Sequence, residues 1–369
     1  MNTGEANEAT LENSDNIFEN SNCFSINKIC IVGAGSIGCI VGARLSTTGA
    51  NVTLIGRTSL LKAMEDTNGL LRTKLLDGCM TDHAVGTKEL QVTSDMSVLK
   101  EATTIIVAVK STDTVAVAKQ IRQIIGDEKK PIISFQNGVR NPLLIKNELP
   151  SCNIVPALVE FNAVWLDDAT FVQTTAGKIL IGDDETAMEI VSLLVKVGFD
   201  AKVEPQIEAY QYGKLLINLN NAVNALSGVP LLSTLKEKNF RIVVAASMEE
   251  AISVFSKANI VVKSLKLSPS LIPRFMRLPD FIFSRLQPYV VKVDANAKLS
   301  MLQDLEKQRS TEINFLNGEI VKVAREHGLP LPPFNATIVK LVQEAELKKD
   351  GSPMMNSKDL LDRCNSFGK

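Results

Sequence analysis

The sequence predicts an α/β fold, a doubly wound parallel sheet followed by an all-α C-terminal domain. Three observations carry that expectation. Short apolar runs alternate with helix-length segments through the first half of the chain. Beyond Glu204-Pro205 the apolar spacing turns almost wholly to the helical 3.6 period. The 369 residues, 45% of them hydrophobic, are enough to bury two cores.

The elements follow in order. Residues 1–27 carry five acidic groups, seven asparagines and no Lys or Arg, and read as a disordered, soluble extension rather than a secretory or organellar leader. Order begins at Lys28. Ile29-Cys30-Ile31-Val32 reads as a buried parallel strand and Ile37 to Leu45 as a helix. Strands follow at 51–55, 104–108 and 131–134, with a helix over about 112–125 between the last two. Short strands near 154–162, 170–175 and 178–182 precede a helix near 184–196. The first domain therefore spans 28–204. A helical domain follows over 205–349, broken at Pro230, Pro269, Pro273, Pro279 and Pro288. Within it, 300–326 reads as one helix and 335–347 as the last. Residues 350–369 read as a flexible tail.

Charge and composition exclude several classes. Forty basic and 41 acidic residues leave a net charge of −1, which argues against a protein built to hold nucleic acid or an acidic membrane. No apolar run reaches the length of a membrane span. The six cysteines form no CxxC pair, which leaves neither a zinc ribbon nor a thioredoxin motif and fits a reducing, cytoplasmic setting. Two histidines, His83 and His327, leave little room for a metal site, and none is expected. Chemistry here has to run on lysine, carboxylates and amides.

Gly33-Ala34-Gly35-Ser36-Ile37-Gly38 is a GxGxxG run between a strand and a helix, the context a Rossmann-type dinucleotide fingerprint requires. Gly33 permits the tight turn, Gly35 lets the backbone approach a pyrophosphate, and Gly38 allows close packing. A glycine-rich turn that binds nothing is the bland alternative. The second strand ends Leu54-Ile55-Gly56-Arg57, without the acid that NAD sites place there. Arg57 suits a 2′-phosphate, so the expected cofactor is NADPH/NADP; otherwise it is a solvated surface charge.

The segment 212–226 is rich in amides. Leu215, Leu219, Val223 and Leu226 share one helical face and should be core. Lys214, Asn218 and Asn221 fall on nearly the opposite face, flanked by Asn220 and Asn224. Asparagine is a poor interior helix residue. Either this face lines a cleft for a polar small molecule, with Lys214 as proton donor, or it is a solvated face that tolerates amides.

These residues resemble the ketopantoate reductase (2-dehydropantoate 2-reductase) family. The resemblance runs from about Lys28 to Glu346. It includes GAGSIG at 33–38, VAVKS at 107–111, QNGV at 136–139, GKILIG at 177–182, KLLIN at 214–218, SMLQD at 300–304 and TEINFLNG at 311–318. It implies that Lys214 is the catalytic proton donor and that Glu312 contacts the substrate hydroxyl near the cofactor. It implies substrate contacts from Asn218 and Ser300, a contact of Asn137 with both cofactor and substrate, Lys110 near the nicotinamide end, and a backbone contact at Ala163. One position departs. Where the family often has a second asparagine two turns after the lysine, this chain has Ala222. Asn221, one residue earlier, points about 100° away around a helix.

The resemblance thus implies an NADPH-dependent oxidoreductase that reduces the C2 carbonyl of 2-dehydropantoate to pantoate, in pantothenate biosynthesis. Ala222 keeps another 2-keto acid or ketone open as substrate. A third reading, from another class, is a non-catalytic NADP(H) sensor. The expected partner is the small keto acid, with no nucleic acid and no membrane, and the helical domain can support a homodimer.

Overall fold

A computed structural model describes residues 27–366, apart from 167, 265–266 and 291–295. Of the extension expected over 1–27, only Asn27 falls among the described residues. The chain begins with β1 (Lys28–Val32), helix Ser36–Ser46, β2 (Asn51–Ile55) and helix Thr58–Asp66. A β3–β4 hairpin (Leu70–Lys74, Met80–Ala84) and β5 (Leu90–Thr93) come next. The alternation resumes with β6 (Thr104–Val107), helix Thr114–Ile125, β7 (Pro131–Ser134), helix Asn141–Glu148 and β8 (Asn153–Val159). β9 (Ala163–Trp165), β10 (Thr170–Gln173), β11 (Ile179–Ile181), helix Glu185–Lys196 and β12 (Ala201–Val203) complete this half.

The main sheet has eight strands in the order β12-β11-β8-β7-β6-β1-β2-β5. Six run parallel, from β5 through β8, whereas β11 joins β8 antiparallel and brings β12 with it. The expected parallel sheet therefore has an antiparallel edge. Both faces are covered, which is why β1 is apolar at every position beyond Lys28. Ile29 and Ile31 face a core shared with helices 36–46 and 185–196. Cys30 and Val32 face another, shared with helices 114–125 and 141–148. Helix 36–46 lies close on the sheet because Gly42 has no side chain. A Cβ there would come within 2.4 Å of the Leu54 side chain.

A second, four-stranded sheet, β4-β3-β10-β9, covers the outer side of helix 36–46. Arg44 of that helix is buried and donates to the Thr73 hydroxyl (2.9 Å) and the Cys79 carbonyl (2.8 Å). His83 lies in this sheet against Thr73, and burial together with Arg44 pushes its imidazole down to about 4.

Among the described residues every strand lies before Glu204, and helices alone follow it. Leu215, Leu219, Val223 and Leu226 are all buried in one helical core. The expected 212–226 helix is two, Ile207–Asn218 and Asn220–Ser227. At the joint the Leu219 N–H bonds the Leu216 carbonyl, a tightened turn that keeps the apolar face continuous. The expected 300–326 helix is also divided. Helix Ser300–Glu306 ends at Gln308, which takes a left-handed φ of 52°, while the Arg309 N–H closes back on the Asp304 carbonyl. A short 3-10 turn, Ile313–Phe315, then leads into helix Asn317–Glu326, so Glu312 sits in a turn and not in a helix. Helices Leu231–Lys236, Lys238–Lys257, Leu271–Met276, Asp280–Val290 and Pro333–Lys348 complete the domain. No helix among the described residues is long and apolar enough to cross a membrane.

The expected flexible tail over 350–369 is corrected over part of its length. Helix Ser357–Asn365 is capped by the Asn356 side chain and packs on helices 238–257 and 333–348. Leu360 is fully buried and Cys364 nearly so. Leu360→Ala should therefore lower the unfolding midpoint by about 5–10 °C, because truncating a fully buried leucine costs roughly 2–5 kcal/mol. Thermal unfolding followed by far-ultraviolet circular dichroism checks this, and an unchanged midpoint would restore the frayed tail.

Candidate functional site

Strand register builds one end of the molecule. Val32 lies beside Ile55 and Val107, and Val107 beside Ser134, so β1, β2, β6 and β7 finish level. The chain leaves β1 for β2 on one side and returns to β6 on the other, which makes β1 the switch point of the sheet. The loops leaving these ends carry Gly33–Gly38, Arg57, Lys110-Ser111 and Asn137.

The glycines do different work. Gly33 has φ +104°, and a Cβ there would lie 2.6 Å from the backbone at Ala108 and Val109. A Cβ on Gly38 would lie 2.4 Å from the Gly33 carbonyl oxygen, so Gly38 serves the turn itself. The N–H groups of Gly33 and buried Ala34 both donate to the Ile55 carbonyl at 3.0 Å, which clamps the turn on β2. Gly35 is different. A Cβ there meets nothing within 4 Å, so the backbone faces open space. Half-buried Ser36 and Ile37 open the helix, which has no side-chain cap. Its leading N–H groups lack intrahelical partners and favour an anion. These residues fit a dinucleotide pyrophosphate. Arg57 at the end of β2 is exposed and paired with Asp113 at 2.9 Å.

The second half of the site comes from the helical domain. Helix 207–218 runs along β8, where Gln211 donates to the Ala157 carbonyl (3.1 Å) and the Lys214 ammonium to the Val159 carbonyl. Gly213 lets the backbone at Lys263 pack against this helix, because a Cβ there would collide with the Lys263 carbonyl oxygen. Burial pushes the Lys214 ammonium down to about 8, against the opposing pull of the Glu160 and Glu312 carboxylates.

Glu312 crosses between the domains. Its Oε1 accepts from the Ser111 N–H (2.9 Å) and hydroxyl (2.6 Å), and its Oε2 from the Asn137 amide (3.4 Å). A buried donor chain stands behind it. The Gln136 amide donates to the Thr114 hydroxyl (2.7 Å), which donates to the Asn141 carbonyl oxygen (2.8 Å), whose amide donates to the Ser111 hydroxyl (3.0 Å). Lys110 forms an ion pair with Asp304 of helix 300–306. Burial raises the Asp304 carboxyl, and Lys110 pulls it back.

The structure thus joins Asn137 directly to Glu312, turns Lys110 to Asp304 instead, and leaves Lys214 within the electrostatic reach of Glu312. Asn218 is half-buried and Ser300 exposed, and neither side chain has a hydrogen-bond partner among the described residues. Ala163 opens β9 in the second sheet, paired with Gln173 and bonded to none of these groups. Asn224 is no part of the cleft. It is fully buried, donates to the Val229 carbonyl and Thr234 hydroxyl, and accepts from the Leu299 N–H at 3.1 Å, which fixes the start of helix 300–306. Nothing local in the sequence marks Ser111, Asn141 or Asp304, although VAVKS contains Ser111 and SMLQD contains Asp304.

Gly35→Ala separates binding from folding. It should leave the unfolding midpoint unchanged and weaken dinucleotide binding roughly ten-fold or more, since the added methyl occupies the pyrophosphate's approach. Titration calorimetry beside thermal unfolding checks both halves.

Comparison with known proteins agrees with this arrangement. Residues 29–185 match the family described as ApbA, ketopantoate reductase PanE/ApbA, and residues 206–346 match its C-terminal domain. A 2-dehydropantoate 2-reductase from Archaeoglobus fulgidus is 24% identical over 330 residues, which cover 87% of this chain and 98% of that one. A PanE/ApbA family ketopantoate reductase structure from Ralstonia eutropha JMP134 superposes with a TM-score of 0.73 at 24% identity, covering 87% of this chain and 99% of the other. D-mandelate dehydrogenase with NADH and anilino(oxo)acetate shares the fold at a TM-score of 0.70 and 20% identity, covering 88% and 99%. With both halves of the fold and both family segments accounted for, the chain belongs to the ketopantoate reductase family and is an oxidoreductase acting on CH–OH groups.

Proposed function

We propose that this chain catalyses the NADPH-dependent reduction of 2-dehydropantoate to pantoate, in the cytoplasm and within pantothenate biosynthesis. The observation that carries this reading is the Lys214 ammonium, anchored on the Val159 carbonyl, desolvated and under the field of two carboxylates. The cofactor, when bound, supplies hydride to the C2 carbonyl carbon. Lys214 Nζ stabilises the charge that gathers on the carbonyl oxygen and gives it a proton. Glu312, oriented by Ser111 and Asn137, accepts from the substrate hydroxyl. Asn218 and Ser300, whose side chains have no hydrogen-bond partner among the described residues, hold the substrate's remaining polar groups. Lys110 and Asn137 flank the nicotinamide end, and Ala163 contributes a backbone contact. The exposed Arg57, with no acid at the end of β2, supports NADP over NAD. Large exposed aromatic side chains on helix 280–290, Phe281 and Tyr289, support a homodimer through the helical domain.

One observation favours a different 2-keto acid as substrate. Ala222 is fully buried, and Asn221 beside it is nearly so. The substrate therefore has one amide contact fewer than the family pattern supplies. Assay of 2-dehydropantoate against a panel of 2-keto acids, by NADPH absorbance, decides between the two. Cofactor binding without turnover on any of them would favour a sensor.

The Lys214 pKa sets the pH profile. Reduction needs the ammonium form, so kcat/KM should fall as pH rises through about 8, and the reverse oxidation, which needs the amine, should rise through the same value. A flat profile across that range would remove Lys214 as the donor. Lys214→Ala should abolish turnover while NADPH binding, measured by fluorescence titration, stays near wild type. Wild-type-like kcat in that variant would sink the assignment.

A further inference from the structure

We propose, resting on the NADP(H) reading above, that Asp113 sets cofactor selectivity: it competes with a ribose 2′-phosphate for Arg57 and accepts from the ribose hydroxyl of the unphosphorylated dinucleotide. The sequence places no acid at the end of β2, where NAD sites have one. The fold brings one there from another strand.

β2 and β6 are the two neighbours of β1, and the glycine turn emerges between them. The loop after β6 abuts that turn, since a Cβ on Gly33 would strike Ala108 and Val109. Arg57 follows β2, and Asp113 closes the 3-10 turn Ser111–Asp113 after β6. Their contact, Nη2 to Oδ2 at 2.9 Å, spans the groove between the two loops. A dinucleotide with its pyrophosphate at Gly35 and its 2′-substituent at Arg57 must pass its adenosine ribose through this groove. The bridge stands where that ribose lies.

The pair is built to open. Arg57 is 75% exposed and Asp113 40%, so the bridge is solvated and weak. The Asp113 N–H is fixed to the Lys110 carbonyl at 2.9 Å, but its carboxylate has no partner other than Arg57 among the described residues. Lys110, three residues earlier, is turned to Asp304 and does not compete. A 2′-phosphate therefore takes Arg57 and leaves Asp113 as an uncompensated like charge beside a dianion. An unphosphorylated ribose leaves the bridge intact and offers its hydroxyl to the same carboxylate. Asp113 thus narrows the preference for NADP(H) that Arg57 alone would give.

Titration calorimetry on the full chain tests this with NADP⁺, NAD⁺, adenosine 2′,5′-bisphosphate and AMP as probes. Asp113→Ala should tighten NADP⁺ and the bisphosphate by about five-fold, the scale of one exposed ion pair, and weaken NAD⁺. Asp113→Asn should tighten NADP⁺ similarly while keeping part of the NAD⁺ affinity. Arg57→Ala should weaken NADP⁺ and the bisphosphate and leave NAD⁺ and AMP nearly unchanged. If Arg57→Ala behaves so but Asp113→Ala leaves the NADP⁺ to NAD⁺ ratio unaltered, the role of Asp113 is overturned and the NADP(H) reading stands. If Arg57→Ala weakens both dinucleotides equally, the NADP(H) reading falls and this proposal with it.

Discussion

The Glu312 carboxylate joins two separately packed cores, and most of the candidate site follows from the need to satisfy it. A half-buried charge is costly unless donors surround it. Here the donors are Ser111 and Asn137, on the loops after β6 and β7. Ser111 is itself held by Asn141, Asn141 by Thr114, and Thr114 by Gln136, so the arrangement is rigid well behind the charge. The helical domain therefore meets the loops where the parallel strands end, beside the run of helix 207–218 along β8. Lys110–Asp304 and the pairing of Arg140 with Glu319 and Glu326 repeat the device to either side. Polar, directional contacts fix an orientation that an apolar seam would leave free to slide. That precision is what a reaction between two halves of a cleft demands.

The sequence was most legible where the backbone alone sets the requirement. The 33–38 turn needs residues without Cβ atoms, and glycine announces that need locally. The β1 strand, buried on both faces, is apolar throughout for an equally local reason. Legibility failed where one pattern serves two structures. The apolar stripe through 212–226 is continuous although the helix ladder tightens at Leu219, so periodicity could not show the joint. Gln308 ends its helix in a left-handed conformation usually taken by glycine or asparagine, so no stop signal marked it. The β3–β4 hairpin did carry a signal, Asp77-Gly78 with Gly78 at φ +89°. Its strands are short, charged and half exposed, so no clear apolar run marks them. Helix 357–365 has only Leu360 and Cys364 buried, too narrow a stripe to stand out in a polar segment.

The asparagines show why residue type and residue role separate. Four amides crowd one segment, yet they split by what lies opposite. Asn224 meets backbone from two other segments and is a structural tie. The Asn218 side chain, one face away, has no hydrogen-bond partner among the described residues. Only tertiary neighbours distinguish them, so the sequence could place a polar face but not say which amide was spent on the fold. Glu312 is the converse case. In a helix it would pass for an ordinary surface charge. In its turn, two strand-end loops converge on it.

The scarcity of histidine finds its explanation in the same geometry. His83 is absorbed in the second sheet, kept neutral by burial and by Arg44, and His327 ends helix 317–326. Neither is bonded to the groups around Glu312, and the proposed proton donor is accordingly a lysine. An ordinary lysine holds its proton too tightly to give it up readily. Burial against β8 weakens that hold, while Glu160 and Glu312 keep the ammonium populated at neutral pH. The balance depends on the domains staying docked, because the Val159 carbonyl that anchors the ammonium belongs to one domain and the Lys214 helix to the other. The interdomain bonds centred on Glu312 are therefore part of what tunes the Lys214 ammonium, through the field that Glu312 exerts and through the burial that docking maintains.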